Sequence, residues 1–228
     1  MRVLMLVISS DTFPVYTHHR EVWRTYMMSH PEIECRFIES RPLVLLPTLT
    51  SDTLTLRGVE RYGLILGKTL EALEYFLRRR VYDYVVRTNL SSVWDFKELL
   101  RYLATLPRER VYAGQIGINL ETTLEFASGA GIVMSADVAH TLLANKHIAL
   151  TLPVFDDVAI AKALRASGLR PSPLPRVDFF SLAQYDAHHD TIPPGSFHYR
   201  IKHADYLGGR MEEPEIMRRL LRDHILVR

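Results

Sequence analysis

The stretch Val3-Leu-Met-Leu-Val-Ile8 constrains the fold most, because it is apolar without interruption. A strand with one wet face alternates apolar and polar residues, so an unbroken run reads as a strand buried on both faces. Such strands belong to parallel sheets covered by helices. Tyr82 to Arg87 reads the same way, and Glu34 to Ile38, Arg110 to Gly114 and Gly129 to Met134 read as further strands. Segments of helical spacing fall between them. His18 to Met28 carries Val22, Trp23, Tyr26 and Met27 at that spacing, and Val59 to Arg80 carries Leu64, Leu66, Leu70, Leu73, Phe76 and Leu77. Three arginines end the second segment, where cations suit a helix C-terminus. Leu43 to Ser51 is irregular, with Pro47 as a breaker.

Further helices are expected over Asp95 to Leu106, capped by Asp95, and over Ala136 to Ala144, capped by Ser135. Another spans Val154 to Ser167 and ends at Gly168. A polar, Pro-rich stretch from Pro171 to Ser196 precedes an extended piece, Phe197 to Ile201. A last helix, Pro214 to Ile225, opens on proline. Strand–helix alternation predicts an α/β fold, a mainly parallel sheet flanked by helices. Its 228 residues suit a single domain over 1–228, with 171–228 as a tail packing on it.

Apolar residues at 47% and charged residues at 24% exclude a disordered chain, a collagen-like fibre and a coiled coil. A net charge of +2 gives no bulk signature of a nucleic-acid partner. The single cysteine, Cys35, excludes an internal disulfide and a thiolate metal cluster. No apolar run approaches the roughly 20 residues of a membrane span. Met1 to Ser10 reads as a buried first strand rather than a secretion signal, which points to a cytoplasmic protein.

Four segments could carry chemistry, each with a plainer reading beside it. Thr88-Asn89-Leu90-Ser91-Ser92 follows a buried strand, where an α/β sheet presents ligands; it also reads as a solvated loop with a helix cap. Ser128-Gly129-Ala130-Gly131 lets a backbone approach a ligand, or marks a bulge or close packing. It lacks the lysine of a phosphate-binding loop and the spacing of a dinucleotide fingerprint. Asp156-Asp157 opens a helix, as an N-terminal cap or as a general base held against a ligand. His198, Arg200 and Lys202 project from one face of an extended segment, suiting a diphosphate or simply guarding an edge strand. His188 and His189 lie in a polar stretch with little to suggest a metal.

Taken in order, these segments resemble the β-1,3-galactosyltransferase and fringe-type glycosyltransferases, which have the GT-A fold. That family's first strand ends near a serine, here Ser9 and Ser10, followed by R-x-x-x-R-x-T-W, here Arg20-Glu-Val-Trp-Arg24-Thr-Tyr. Its D-x-L, E-x-Y and L-x-x-K-T elements are similar to Asp52-Thr-Leu54, Glu60-Arg-Tyr62 and Leu66-Gly-Lys68-Thr69. Its K-x-D-D-D falls on Arg87-Thr-Asn89-Leu90-Ser91, its S-G-x-G-Y-x-x-S on Ser128 to Ser135, and its acidic D-D-V on Asp156-Asp157-Val158. The departure is at Asn89 and Ser91. Neutral side chains stand where the family has the carboxylates that hold a divalent metal, a degenerate D-x-D.

The resemblance implies a GT-A-like, Rossmann-like domain that transfers a sugar from a nucleotide sugar, a UDP-sugar favoured, to a hydroxyl of a glycan or glycoprotein, with inversion. Asp157 would be the base, with Asp156 as the fallback. Ser9, Ser10, Arg20, Lys68, Arg87, Asn89 and Ser91 would bind the donor. Ser128, Gly129 and Gly131 would flank sugar and acceptor, and His198, Arg200 and Lys202 would hold the diphosphate. Mn²⁺ or Mg²⁺ is left open as a cofactor. A soluble bacterial or viral-type enzyme fits the absent anchor and disulfides. The alternative is a catalytically inactive domain of this fold that binds a glycan or a partner protein.

Overall fold

The computed structural model describes residues 1–151, 155–203 and 209–226. In chain order its first elements are β1 (Val3–Ile8), α1 (Pro14–Arg24), β2 (Ile33–Arg41), β3 (Thr48–Leu49) and β4 (Thr53–Arg57). Next come α2 (Ile65–Leu77), β5 (Tyr84–Asn89), β6 (Ser92–Trp94), α3 (Phe96–Thr105), β7 (Tyr112–Asn119) and β8 (Leu124–Ser135). Then follow α4 (Ala136–Ala144), α5 (Lys146–Leu150), α6 (Asp156–Arg165), β9 (Ser172–Pro173) and β10 (Val177–Phe179). The last are α7 (Leu182–His188), β11 (His198–Ile201) and α8 (Glu213–Leu220). The chain forms two compact units of three segments each. One is Met1–Ser10, Glu32–Asn89 and Leu106–Leu174; the other is Asp11–Pro31, Leu90–Thr105 and Pro175–Arg228.

The first unit holds an eight-stranded sheet in the order β3-β4-β2-β1-β5-β8-β7-β9. The run Val3–Ile8 is buried throughout and lies parallel to β2 on one side and β5 on the other, as its unbroken apolar character requires. β4 extends the parallel part, β9 is parallel to β7, and β8 is antiparallel to both β5 and β7. Leu4, Leu6 and Ile8 face a core shared with Leu70, Leu73 and Phe76 of α2, Val138 and Leu142 of α4, and Ile160 and Leu164 of α6. Val3, Met5 and Val7, equally buried, point the other way.

Helix α6 stops at Gly168, whose φ of 71° is left-handed. Leu169 N–H donates to Leu164 and Gly168 N–H to Arg165, the paired bonds of a Schellman end, and Leu164 and Leu169 share the core. The expected start of this helix at Val154 lies outside the described residues. The expected helix Val59–Arg80 is regular only over Ile65–Leu77. Glu60 is drawn off to accept from Ser40 N–H and Lys68, and this holds the preceding segment against the sheet. Strand β8 begins five residues earlier than expected, paired with β7 from Leu124 onward. Ser135 sits at the N-cap of α4 but makes no capping bond, because its hydroxyl accepts from Val111 N–H instead.

The second unit holds a three-stranded sheet in the order β10-β11-β6, with helices α1, α3, α7 and α8. Asp95 caps α3 as expected, accepting from Glu98 N–H at 3.1 Å. Helix α1 starts at Pro14, four residues before the expected His18, since proline is suited to a first turn. Trp23 stacks on Tyr26 and donates its indole N–H to the Leu90 carbonyl. At the start of α8 the buried Glu213 carboxylate lies 3.1 Å from His19 Nε2 and 2.9 Å from Arg210 Nε.

Candidate functional site

Strands β4, β2, β1 and β5 run parallel, so Arg57, Arg41, Ser9 and Asn89 mark one carboxyl edge of the sheet. Ligands of open α/β sheets bind along this edge. Two clusters of buried polar groups lie there, both within the first unit.

The first cluster is built on Arg87 of β5. Its guanidinium is 1% exposed, and Nη2 donates to Asp156 Oδ2 at 2.5 Å. Its Nη1 and Nε are buried without a hydrogen-bond partner among the described residues. A Cβ added to Gly129 would stand 2.6 Å from Arg87 Nη1, so the guanidinium occupies the space that glycine leaves. The Gly129 N–H in turn donates to Asp157 Oδ2 at 3.0 Å, and Val158 N–H donates to Oδ1 at 2.9 Å. Burial pushes the Asp157 carboxyl above the ordinary aspartate range, and the neighbouring Asp156 charge adds to this. The Gly129 N–H and Arg87 oppose it. Two adjacent carboxylates are thus unlike: Asp156 is neutralised by a cation, while Asp157 is held by backbone N–H groups.

The second cluster lies at the ends of β1 and β2. Ser9 Oγ donates to Glu39 Oε1 at 2.9 Å, and Lys68 Nζ bonds both the Ser9 carbonyl and Glu60 Oε2 at 2.7 Å. Burial lowers the Lys68 pKa, against the pull of Glu60. Lys68 therefore braces the Ser9 backbone. Neither Glu39 nor Glu60 stands out in the sequence as a site residue. Glu39 follows a strand read as ending at Ile38, and an acid just past a buried strand is the signal that could have found it.

Of the other expected residues in this unit, Asn89 is half-buried and level with Ile8, and Ser10 is half-buried. Gly131 pairs with Thr88, whose hydroxyl donates to the Ala130 carbonyl, so Ser128 to Gly131 lies directly alongside the end of β5. Arg20, Ser91, His198, Arg200 and Lys202 belong to the second unit. There the Ser91 carbonyl accepts from Ile201 N–H, and Arg200 pairs with Ser92, so Ser91 and the basic strand are neighbours. His198 is buried with its ring stacked on Trp94 at 3.9 Å, while Arg200 and Lys202 are half-buried. His188 ends helix α7 and His189 stacks on Tyr185. Among the described residues, no group of three or more His, Cys, Asp or Glu is placed to hold a metal ion.

No family model matches the sequence, and no curated protein matches it. Among solved structures, the fold matches the crystal structure of a glycosyltransferase involved in the glycosylation of the major capsid of PBCV-1. The TM-score is 0.56 at 12% identity, over 96% of this chain and 99% of that one. A197 from STIV aligns with a TM-score of 0.43 at 11% identity, over 76% and 82% of the two chains, too weakly to bear on the argument. The chain shares the fold of the first of these proteins, and at this identity the likeness speaks to fold alone.

Proposed function

We propose that the chain is a glycosyltransferase that moves a sugar from a nucleotide-sugar donor, a UDP-sugar favoured, to a hydroxyl group of a glycan or glycoprotein. The observation that carries this reading is Asp157. It is a partly buried carboxylate with a raised pKa, fixed by backbone N–H groups at the ligand-binding edge of a sheet whose fold is shared with a glycosyltransferase. A carboxylate with a raised pKa is a better proton acceptor than an ordinary aspartate. Asp157 takes the proton of the acceptor hydroxyl as that oxygen attacks the anomeric carbon. The bond from carbon to phosphate oxygen breaks, and the nucleoside diphosphate leaves with the bonding pair. One displacement with one base inverts the anomeric centre. The order of motifs shared with the fringe-type enzymes supports the same reading.

The departing diphosphate needs its charge offset. The strand end that would carry a metal does not suit one: Asn89 offers a neutral oxygen, and the buried Arg87 cation lies two residues before it. Arg200 and Lys202, the side chains the sequence suggests for this role, belong to the second unit. A thermal-shift screen with UDP-, GDP- and dTDP-sugars, with and without Mn²⁺, identifies the donor. Asp157→Asn should then lower turnover by roughly 10²- to 10⁴-fold with donor binding near wild type. Donor binding with no turnover by the wild-type protein on any acceptor would instead favour a catalytically inactive binding domain, a reading that the neutral Asn89 and Ser91 support.

A further inference from the structure

Between β2 and β4 the first unit displays apolar side chains that its core does not use. Leu43 is 91% exposed, Leu45 82% and Leu46 76%. Single exposed leucines are ordinary, but three within four residues form a patch that water does not favour. The loop is anchored at its base. The Arg41 carbonyl accepts from Val44 N–H at 3.4 Å and from Gly58 N–H at 3.2 Å, which brings the exposed Val59 to the same place. Pro42 and Pro47 bracket the leucines and restrict the backbone that carries them.

The exposed charges near this patch that make no ion pair among the described residues are arginines. Arg41 and Arg57 are cross-strand neighbours at the ends of β2 and β4. Thr48 pairs with Thr55, so Leu46 and Arg57 both lie two residues farther toward the same end. Arg57 and Arg61 are exposed and make no ion pair among the described residues. The nearby acids are engaged: Glu60 with Lys68 and Ser40 N–H, Glu39 with Ser9 and Arg41, and Asp52 with Thr53. Exposed leucines beside an exposed Arg57, unpaired among the described residues, with Arg61 four residues on, match a bilayer interface, where aliphatic chains enter the acyl boundary and guanidinium groups meet lipid phosphates. A second copy of the chain would have to supply acids opposite these arginines.

We propose that the Pro42–Pro47 loop, with Arg57 and Arg61, docks the protein on an anionic membrane surface. The protein lies on the bilayer by this loop; no helix among the described residues is long and apolar enough to cross it. Docking also brings the sheet edge that carries Ser9 and Glu39 to the lipid surface. The inference goes beyond the proposed reaction and does not depend on it.

The test is flotation of the full chain with two kinds of vesicle, phosphatidylcholine alone and phosphatidylcholine with about 30 mol% phosphatidylglycerol. Binding should require the anionic lipid and weaken as salt is raised. Replacing Leu45 and Leu46 together by serine should weaken binding on the order of ten-fold. Arg57→Gln should weaken it roughly five-fold. All these side chains are exposed, so the variants should keep the wild-type melting temperature, which serves as the folding control. No binding by the wild type overturns the proposal, and so does equal binding by the leucine double variant. If sedimentation shows a dimer that the leucine variant abolishes, with no vesicle binding, the loop is a contact between copies and the proposal is wrong. None of these outcomes touches the glycosyltransferase reading, which turnover tests separately.

Discussion

Replacing Gly129 by alanine tests the packing on which the first cluster rests. The added Cβ would meet Arg87 Nη1 at 2.6 Å and Cζ at 3.4 Å, so the guanidinium must move. The Gly129 backbone is not left-handed, so the cost comes from the new methyl group alone. A free arginine tip would step aside cheaply. This one is 1% exposed and bonded to Asp156 at 2.5 Å. Strain in the surrounding packing would cost about 1–3 kcal/mol. Separating the pair outright would cost about 3–5 kcal/mol, because a buried charge is left uncompensated. A loss of about 2 kcal/mol should lower the urea midpoint by about 1 M, taking a slope of about 2 kcal/mol per M. Gly67 in α2 is the control, since nothing lies within 4 Å of its added Cβ. Gly67→Ala should raise stability by about 0.5–1 kcal/mol. In an Arg87→Ala background the space is vacated, and Gly129→Ala should then cost little. If Gly129→Ala matches wild type while Gly67→Ala behaves as stated, Arg87 is not locked by Asp156 and the description of the cluster is wrong.

Two other perturbations are sharp. Ionising Asp157 costs native stability above its raised pKa, so Asp157→Asn should be more stable than wild type near pH 7. That gain should shrink as pH falls through the raised value, and denaturation curves of equal midpoint at every pH would refute it. Burial pushes the Glu213 carboxyl up, but the bonds from His19 and Arg210 outweigh it and hold the pKa below the usual range. Its stabilisation is therefore complete above the ordinary glutamate pKa and is lost as pH falls through the lowered one. Glu213→Ala should cost about 3–5 kcal/mol by leaving the half-buried Arg210 and the buried His19 without it, and a loss under about 1 kcal/mol would sink this account.

The fold was legible where one physical cause dominates. An unbroken apolar run such as Val3–Ile8 has no other stable home than a covered parallel strand, and the structure pairs it with β5 in that way. Element ends were less legible because they depend on distant partners. The long helix begins at Ile65 rather than Val59 because Glu60 binds Ser40 N–H and Lys68, contacts no periodicity reveals. The short β4, Thr53–Arg57, is one strand that pattern reading passed over. For the candidate site, the sequence marked Arg87, Gly129, Asp156 and Asp157 from separate segments, and the first unit brings these four together. It did not mark Glu39, and it treated His198 as one of three potential cations on one face of an extended segment, whereas the ring is buried on Trp94.

Adjacent carboxylates are equivalent in a sequence, and only their surroundings make them differ. Strand β5 brings a cation to Asp156, and β8 brings a backbone N–H to Asp157. Asp156 acts on Asp157 in two ways: its own charge raises the neighbour's pKa, and it engages the guanidinium that lowers it. Asp156→Asn removes the first effect and loosens the second, so both changes favour the ionised form of Asp157. The Asp157 pKa should fall, and the acid limb of the kcat/KM profile should move to lower pH. Arg87→Met should move it the other way, because the opposing cation is lost. Carboxyl NMR titration of Asp157 reads the same shifts without any substrate, so it holds whatever reaction the protein performs. An Asp157 titration that moves upward in Asp156→Asn would mean that Asp156 is not a charged neighbour of Asp157, and the account of the two aspartates would have to be reversed.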